Sequence, residues 1–164
     1  LEFRRVLFRS WSGGIVTSGG ANRTLTLNTA ASATTSGYQI TINTNSINLG
    51  AGGTLTVGAG MTAGGAATFN LNVGNNTMGN VIVRGLASAG NSTTNTLNLG
   101  AANALGGAVL QLGVTDGATI DDRLSVNLNG NSQTIGGLRS FGSSGSVGTN
   151  GTRTVTSKIG RAHV

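Results

Sequence analysis

The chain has 164 residues, of which 9% are charged, 4% are aromatic and 29 are glycine, and it contains no proline and no cysteine. This length predicts one domain or a piece of one. The lack of cysteine excludes disulfides and thiolate metal sites, and no apolar run is long enough for a transmembrane helix. A formal net charge of +6 would favour an acidic partner, but only if the basic residues belong to the folded part of the chain.

The two ends, LEFRRVLFRS and KIGRAHV, are related through their coding DNA. The genetic code allows a choice of codons with which the DNA of the tail is the reverse complement of part of the DNA of the head, and we take this match as a hypothesis about the coding DNA. That DNA word resembles a sequencing-library adapter, with an in-frame stop codon just outside each end. We therefore expect residues 1–10 and 158–164 to be adapter-derived artefacts and disordered, and we exclude them from reasoning about the fold.

Most of the positive charge lies in these two ends. They hold five basic residues against Glu2, whereas residues 11–157 hold five arginines against three aspartates. The only histidine, His163, also lies in the tail. Without its ends the chain is nearly neutral, and we expect no binding to nucleic acid.

Nine short strings between the ends alternate apolar and polar residues, at intervals of about 12 residues. In chain order they are LTL at Leu25, ITI at Ile40, INL at Ile47, LTV at Leu55, FNLNV at Phe69, VIV at Val81, LNL at Leu97, VLQL at Val109 and LSVNL at Leu124. Alternation with a period of two, interrupted by Gly, Asn and Ser, predicts β-strands, and no segment has a convincing helical stripe. The sequence therefore predicts an all-β fold.

Strand length and residue size favour one kind of all-β fold. A sandwich usually has more aromatic core residues, and a membrane barrel has longer strands with aromatic girdles. Short strands, small-residue turns and stacked aliphatic side chains instead favour a parallel β-helix, or β-solenoid. SINLGA at Ser46 and TLNLGA at Thr96 lie 50 residues apart, a spacing that predicts a whole number of coils. No cap is recognisable, so we expect residues 11–157 to be an uncapped β-solenoid fragment.

Outward polar residues of such a solenoid can form regular arrays. Asn48, Asn98 and Asn127 are candidates for amide ladders at the corners of successive coils. The threonines of TLTLNT, ITINT and TLTV could form a flat array, as on ice-binding solenoids. Asn and Ser interrupt that array, and Thr suits any exposed strand position, so we favour the simpler interpretation.

Two motifs are candidates for binding or catalysis, and neither has the surroundings that the chemistry requires. GAGMTA at 58–63 fits a glycine-rich dinucleotide loop, but no helix and no suitably spaced acidic residue follow it. Asp121 and Asp122 are adjacent, so they would point to opposite faces of a strand. Neither they nor Asp116 lie in the glycine-rich repeat that binds calcium in β-rolls. We predict no catalytic, cofactor-binding or metal-binding residues, and no enzymatic activity.

LNLGAANALGGAVLQLG and LSVNLNGNSQTIGGLRSFGSSGSV resemble the autotransporter-associated β-strand repeat. Asn103–Gly106 match the NALG element of that family, and Leu128–Leu138 match its longer element, which ends in QTIGGL. The resemblance covers Leu97–Val147. It departs from the family at Arg139–Phe141, where small residues are usual, and in VNLNG, which lacks the acidic residue of the family.

The resemblance implies a structural or adhesive passenger segment of a Gram-negative type V secreted protein, folded as a right-handed β-helical stalk at the cell surface. A separate C-terminal barrel, absent from this fragment, would carry it across the outer membrane and provide its only membrane contact. The partners would be host or environmental surface glycans or proteins, and the neighbouring coils of a longer chain. The alternatives are a fragment of a β-helix polysaccharide-processing enzyme and an ice- or surface-binding solenoid.

Overall fold

The computed structural model describes residues 15–16, 22–27, 38–43, 45–58, 67–85, 94–113, 124–141 and 153–156. Every regular element in these ranges is a β-strand, and the ranges contain no helix that could cross a membrane. The strands are β1 (Ile15–Val16), β2 (Thr24–Leu27), β3 (Tyr38–Ile42), β4 (Ile47–Val57), β5 (Ala67–Leu71), β6 (Thr77–Val83), β7 (Asn95–Leu99), β8 (Val109–Leu112), β9 (Leu124–Asn127), β10 (Gly137–Ser140) and β11 (Arg153–Thr156). Both predicted adapter-derived ends lie outside the described residues.

The strands form two sheets in which every pairing is parallel. The first sheet has the order β1-β4-β6-β8-β10, with β2 also paired to β4, and the second has the order β11-β9-β7-β5-β3. From β2 to β11 the chain alternates between the two sheets at every step, so that even-numbered strands lie in the first sheet and odd-numbered strands in the second. We call one strand of each sheet, with the segments joining them, a coil. The all-β, parallel character predicted from the sequence is confirmed, and the arrangement is compatible with a β-solenoid.

The interior between the sheets consists of aliphatic side chains that stack from coil to coil. In β5 and β7 every second residue is buried, and the residues between them are half-buried. One interior column runs through Ile40, Phe69, Leu97 and Val126, which are register partners on successive strands of the second sheet. Because each coil covers the apolar side of the next, small side chains suffice to exclude water from the core.

Seven of the nine predicted strings lie wholly in strands, while FNLNV extends two residues beyond β5 and LSVNL one residue beyond β9. The spacing of the strings is not the repeat of the fold. INL and LTV belong to the single strand β4, whose pairing with β6 contains register shifts. Equivalent residues of neighbouring coils are mostly 28 or 29 positions apart, as for Thr68 and Thr96 or Thr41 and Asn70. The prediction that 50 residues span a whole number of coils is therefore wrong, since SINLGA enters β4 of the first sheet and TLNLGA lies mostly in β7 of the second.

One corner of the coil is formed by asparagines with left-handed backbone conformations. Asn45, Asn75, Asn103 and Asn129 have φ angles of 60°, 55°, 51° and 49°, and each lies between a strand of the second sheet and the next strand of the first. Asn adopts this conformation more readily than other residues with a side chain. Four of the asparagines that interrupt the apolar–polar strings therefore lie in equivalent turns of successive coils.

Candidate functional site

The outer surface of the second sheet carries two straight columns of uncharged polar side chains. The hydroxyl column consists of Thr68, Thr96 and Ser125, and Gln39 on β3 precedes them in register. The amide column consists of Asn70, Asn98 and Asn127, and Thr41 on β3 precedes them, so that β3 is the one strand of the four on which the two side-chain types are exchanged. Each column includes its β3 residue. These residues alternate along β3, β5, β7 and β9 with residues that face the core. Of the eight, Gln39 is exposed and the other seven are half-buried. We call this surface the Thr/Asn face.

Hydrogen bonds between side chains connect the amide column from coil to coil. Asn98 donates from Nδ2 to Oδ1 of Asn70 at 2.8 Å, and Asn70 donates from Nδ2 to Oγ1 of Thr41 at 3.0 Å. Asn127 continues the column as the register partner of Asn98, while its Oδ1 accepts from the backbone N–H of Asn129 at 3.0 Å. The predicted amide ladder is therefore present at Asn98, but within strands and not at the corners.

Asn48 does not belong to this ladder, so that part of the prediction is wrong. It lies on β4 of the first sheet, where its register partner on β6 is Thr77. Its Oδ1 accepts from the backbone N–H of Gly50 at 3.2 Å, in a local turn. The string INL looks like LNL in the sequence, but the two strings lie on different sheets.

The threonine strings are also divided between the sheets. TLTL and TLTV pair as β2 and β4, where Thr24 lies beside Thr54 and Thr26 beside Thr56. This patch ends at the next strand, since Thr56 is followed in register by Ile82 on β6. On the second sheet the asparagines follow one another in register and form the amide column. The threonines and Ser125 form the hydroxyl column beside it, so neither Asn nor Ser interrupts a column of threonines there.

The buried amide of Asn76 joins three coils. Its Oδ1 accepts from the backbone N–H of Ile47 at 2.7 Å, and its Nδ2 donates to the carbonyls of Val73 at 3.0 Å and Ala104 at 2.7 Å. Ile47 belongs to the preceding coil and Ala104 to the following one. Only 4% of Asn76 is exposed, so water cannot easily reach this site. The Asn76 side chain therefore provides the hydrogen-bond partners that these buried backbone groups need.

Asn95 performs a similar task at the start of β7, in an inward-facing position. Its Oδ1 accepts from the backbone N–H of Ala67 on the preceding coil at 3.2 Å, and its Nδ2 donates to the carbonyl of Arg84 at 3.0 Å. Asn95 is fully buried. It therefore connects the end of a first-sheet strand to the start of a second-sheet strand.

The polar residues of the longer repeat-like element bind the backbone of the preceding coil. Gln133 accepts through Oε1 from the N–H of Leu105 at 3.1 Å and donates through Nε2 to the carbonyl of Ala101 at 2.8 Å. Asn131 donates through Nδ2 to the carbonyl of Leu99 at 2.9 Å. We call Asn76, Asn95 and Gln133 the bridging amides, because each satisfies backbone groups of a neighbouring coil.

The NALG element forms a tight turn beneath these contacts. Leu105 is fully buried, and Gly106 has a φ of 59°. A Cβ atom at Gly106 would collide with the backbone carbonyl of Asn76. Glycine is therefore required here for two reasons, the positive φ and the close approach of the neighbouring coil.

The described part of the chain offers no acid–base or metal chemistry. It contains no His, Cys, Asp or Glu, and thus no cluster that could hold a metal ion. Asp116, Asp121 and Asp122 lie outside the described residues. Of the predicted glycine-rich motif at 58–63 only Gly58 is described, with a φ of 84° directly after β4. The Thr/Asn face can therefore act only through hydrogen bonds and van der Waals contact.

Comparisons with known proteins give no relative from which a function could be transferred. No family model, no curated protein and no solved structure matches this chain.

Proposed function

We propose that the chain is a structural or adhesive passenger segment of an autotransporter, exposed at the surface of a Gram-negative bacterium. Its described strands would be part of a longer, right-handed β-helical stalk that carries other elements away from the membrane. The segment is uncapped in this proposal, and the coils that follow and precede it in the longer chain cover its two ends. The proposal includes no catalytic residue and no cofactor.

One observation carries this proposal: the residues behind the family resemblance hold coils together. Gln133 and Asn131 bind backbone groups of the preceding coil, and Gly106 allows the backbone of a neighbouring coil to approach. In a stalk, we expect the most distinctive residues of the repeat to hold one coil against the next. An enzyme would instead be expected to place distinctive residues in a groove.

Two measurements test the proposal. The complete gene should encode a C-terminal barrel domain after further repeats of this kind, and circular dichroism of the purified chain should report β-structure. A helical spectrum would contradict the stalk. A complete gene that ends without a barrel domain would contradict the assignment to an autotransporter.

The enzyme alternative differs from the stalk in a feature that the complete gene reveals. A polysaccharide-processing β-helix needs carboxylates that face each other across a groove. If the flanking coils carry clustered Asp and Glu at outward register positions, the enzyme is favoured; if they continue the Thr and Asn columns, the stalk is favoured.

A further inference from the structure

The Thr/Asn face has the features of a binding surface for a neutral polymer. Its eight side chains include no charged and no aromatic residue, although all eight carry hydrogen-bonding groups. The outer surface of the first sheet is less uniform, since β6 and β8 place Ile82 and Val109 among its polar residues. The second sheet therefore offers one chemistry over four successive coils.

The face is also regular in its dimensions. The registers that join β3, β5, β7 and β9 contain no shift, unlike the pairing of β4 with β6. Neighbouring strands in a sheet are about 4.8 Å apart, and outward residues on one strand are about 6.6 Å apart. Each coil thus presents a pair of uncharged polar side chains at a constant step along the stack, and the pair is Thr and Asn on both β5 and β7.

The side chains are held in place and still have unused hydrogen-bonding capacity. An asparagine amide has two N–H groups and two lone pairs on its oxygen. Within the ladder Asn70 uses one N–H towards Thr41 and one lone pair towards Asn98, so one donor and one acceptor remain. Thr68 and Thr96 are β-branched and stiff at χ1. A partner would therefore order few side chains when it binds, which lowers the entropic cost.

We propose that the Thr/Asn face binds an extended, neutral, β-linked polysaccharide that runs along the stack of coils with one sugar per coil. The step between strands is close to the length of one pyranose residue in such a chain. Each sugar would meet one residue of the hydroxyl column and one of the amide column. The absence of charge favours neutral over acidic glycans, and repetition over several coils compensates for weak single contacts. This inference rests on the proposed surface function and names its partner.

The test measures retention of the full chain on microcrystalline cellulose and on chitin, compared with acidic pectate. We expect retention on a neutral polymer, and an affinity for soluble β-linked oligosaccharides that increases with their length. The double variant Thr96→Lys/Asn98→Lys interrupts both columns in the middle of the face, and we expect its retention to fall by about tenfold. The matched control, Thr54→Lys/Thr56→Lys, adds the same charge to half-buried outward positions of the first sheet and should leave retention unchanged.

If the lysine pair disturbs folding, Thr96→Val/Asn98→Leu removes the hydrogen-bonding groups without adding charge and should lose retention as well. Three outcomes would overturn the inference and leave the stalk intact. The first-sheet control could lose as much retention as the Thr96/Asn98 variant, the chain could be retained better on pectate, or a chain with a β-type spectrum could be retained on neither neutral polymer. If a solution of the chain shows thermal hysteresis in ice growth, and the chain is retained on neither neutral polymer, the glycan inference is overturned in favour of an ice-binding face. A helical spectrum would overturn the stalk itself.

Discussion

At the scale of single residues, the bridging amides supply hydrogen-bond partners to backbone groups of neighbouring coils. A backbone N–H or carbonyl at a coil corner lies beyond the end of a strand ladder and needs another partner. Asn76 supplies such partners to Ile47 and Ala104, and Gln133 supplies them to Leu105 and Ala101. Without these side chains, several backbone groups would be buried and unsatisfied at once.

Replacement of Asn76 tests this role. Asn76→Ala leaves the N–H of Ile47 and the carbonyl of Ala104 without their partner, so we expect the free energy of unfolding to fall by about 2–4 kcal/mol. Urea denaturation followed by far-ultraviolet circular dichroism measures this loss. The control is Asn72→Ala, which removes an exposed hydrogen bond to Asn43 and should cost less than about 1 kcal/mol. Equal costs would show that the bridging amide contributes nothing special.

Gly106 and Gly107 provide a matched pair for separating backbone strain from collision. Both have positive φ, but a Cβ at Gly107 meets nothing within 4 Å, whereas one at Gly106 collides with the carbonyl of Asn76. Gly107→Ala should therefore cost about 1–2 kcal/mol from the left-handed backbone alone. Gly106→Ala should cost about 1–3 kcal/mol more, because the neighbouring coil must move. Thermal unfolding of the two variants measures the difference, and equal melting temperatures would contradict the close packing.

The sequence predicts the strands well and the bridging amides poorly, for a physical reason. Period-two alternation reports which residues share a face, but it does not say which outward or inward asparagine will find a backbone partner. Asn95 and Asn98 both lie in NTLNL, yet Asn95 is fully buried and Asn98 is half-buried in the ladder. Alternation accounts for this difference, because Asn95 shares a face with Leu97 and Asn98 does not. It does not give the backbone partners of Asn95, since Ala67 and Arg84 lie on other segments of the chain.

At the scale of the strands, each side chain is stabilised by its register partners on both neighbours. Leu97 lies in a column between Phe69 and Val126, and all three are buried. Val155 occupies the same column on β11, at one end of the described second sheet, and is 41% exposed. The same type of side chain therefore contributes differently according to whether a further strand covers it.

This difference predicts a gradient of stability along one column. Leu97→Ala should lower the free energy of unfolding by about 2–5 kcal/mol, because it leaves a cavity between two covered coils. Val155→Ala, the same kind of truncation at the outermost strand, should cost less than about 1 kcal/mol. Chemical denaturation of both variants measures the costs. A similar loss at both positions would contradict a core built by stacking and would require contacts that cover Val155.

At the scale of the whole molecule, the coils form a stack in which an apolar interior residue is well buried only where its strand pairs with a strand on each side. The large apolar residues that are exposed in the described part of the chain are Ile135, Leu138 and Val155. Leu138 follows Leu110 in register, and Leu110 is only 2% exposed, whereas Leu138 is 58% exposed. β10 and β11 each end one side of a sheet, and among the described residues no further strand pairs with their outer edges. They therefore combine open edges with interior-type side chains, a combination that favours pairing with another chain.

We therefore expect the isolated chain to self-associate through these outermost strands as its concentration rises. Leu138→Lys/Val155→Lys places charges where an added strand would have to bury them, and we expect this variant to remain monomeric with nearly unchanged stability. Sedimentation velocity over a concentration series measures the association. The control Thr54→Lys/Thr56→Lys raises the net charge equally on an outward surface and should still associate. If that control were also monomeric, repulsion between whole molecules would explain the effect, and the outermost strands would not be the site of contact.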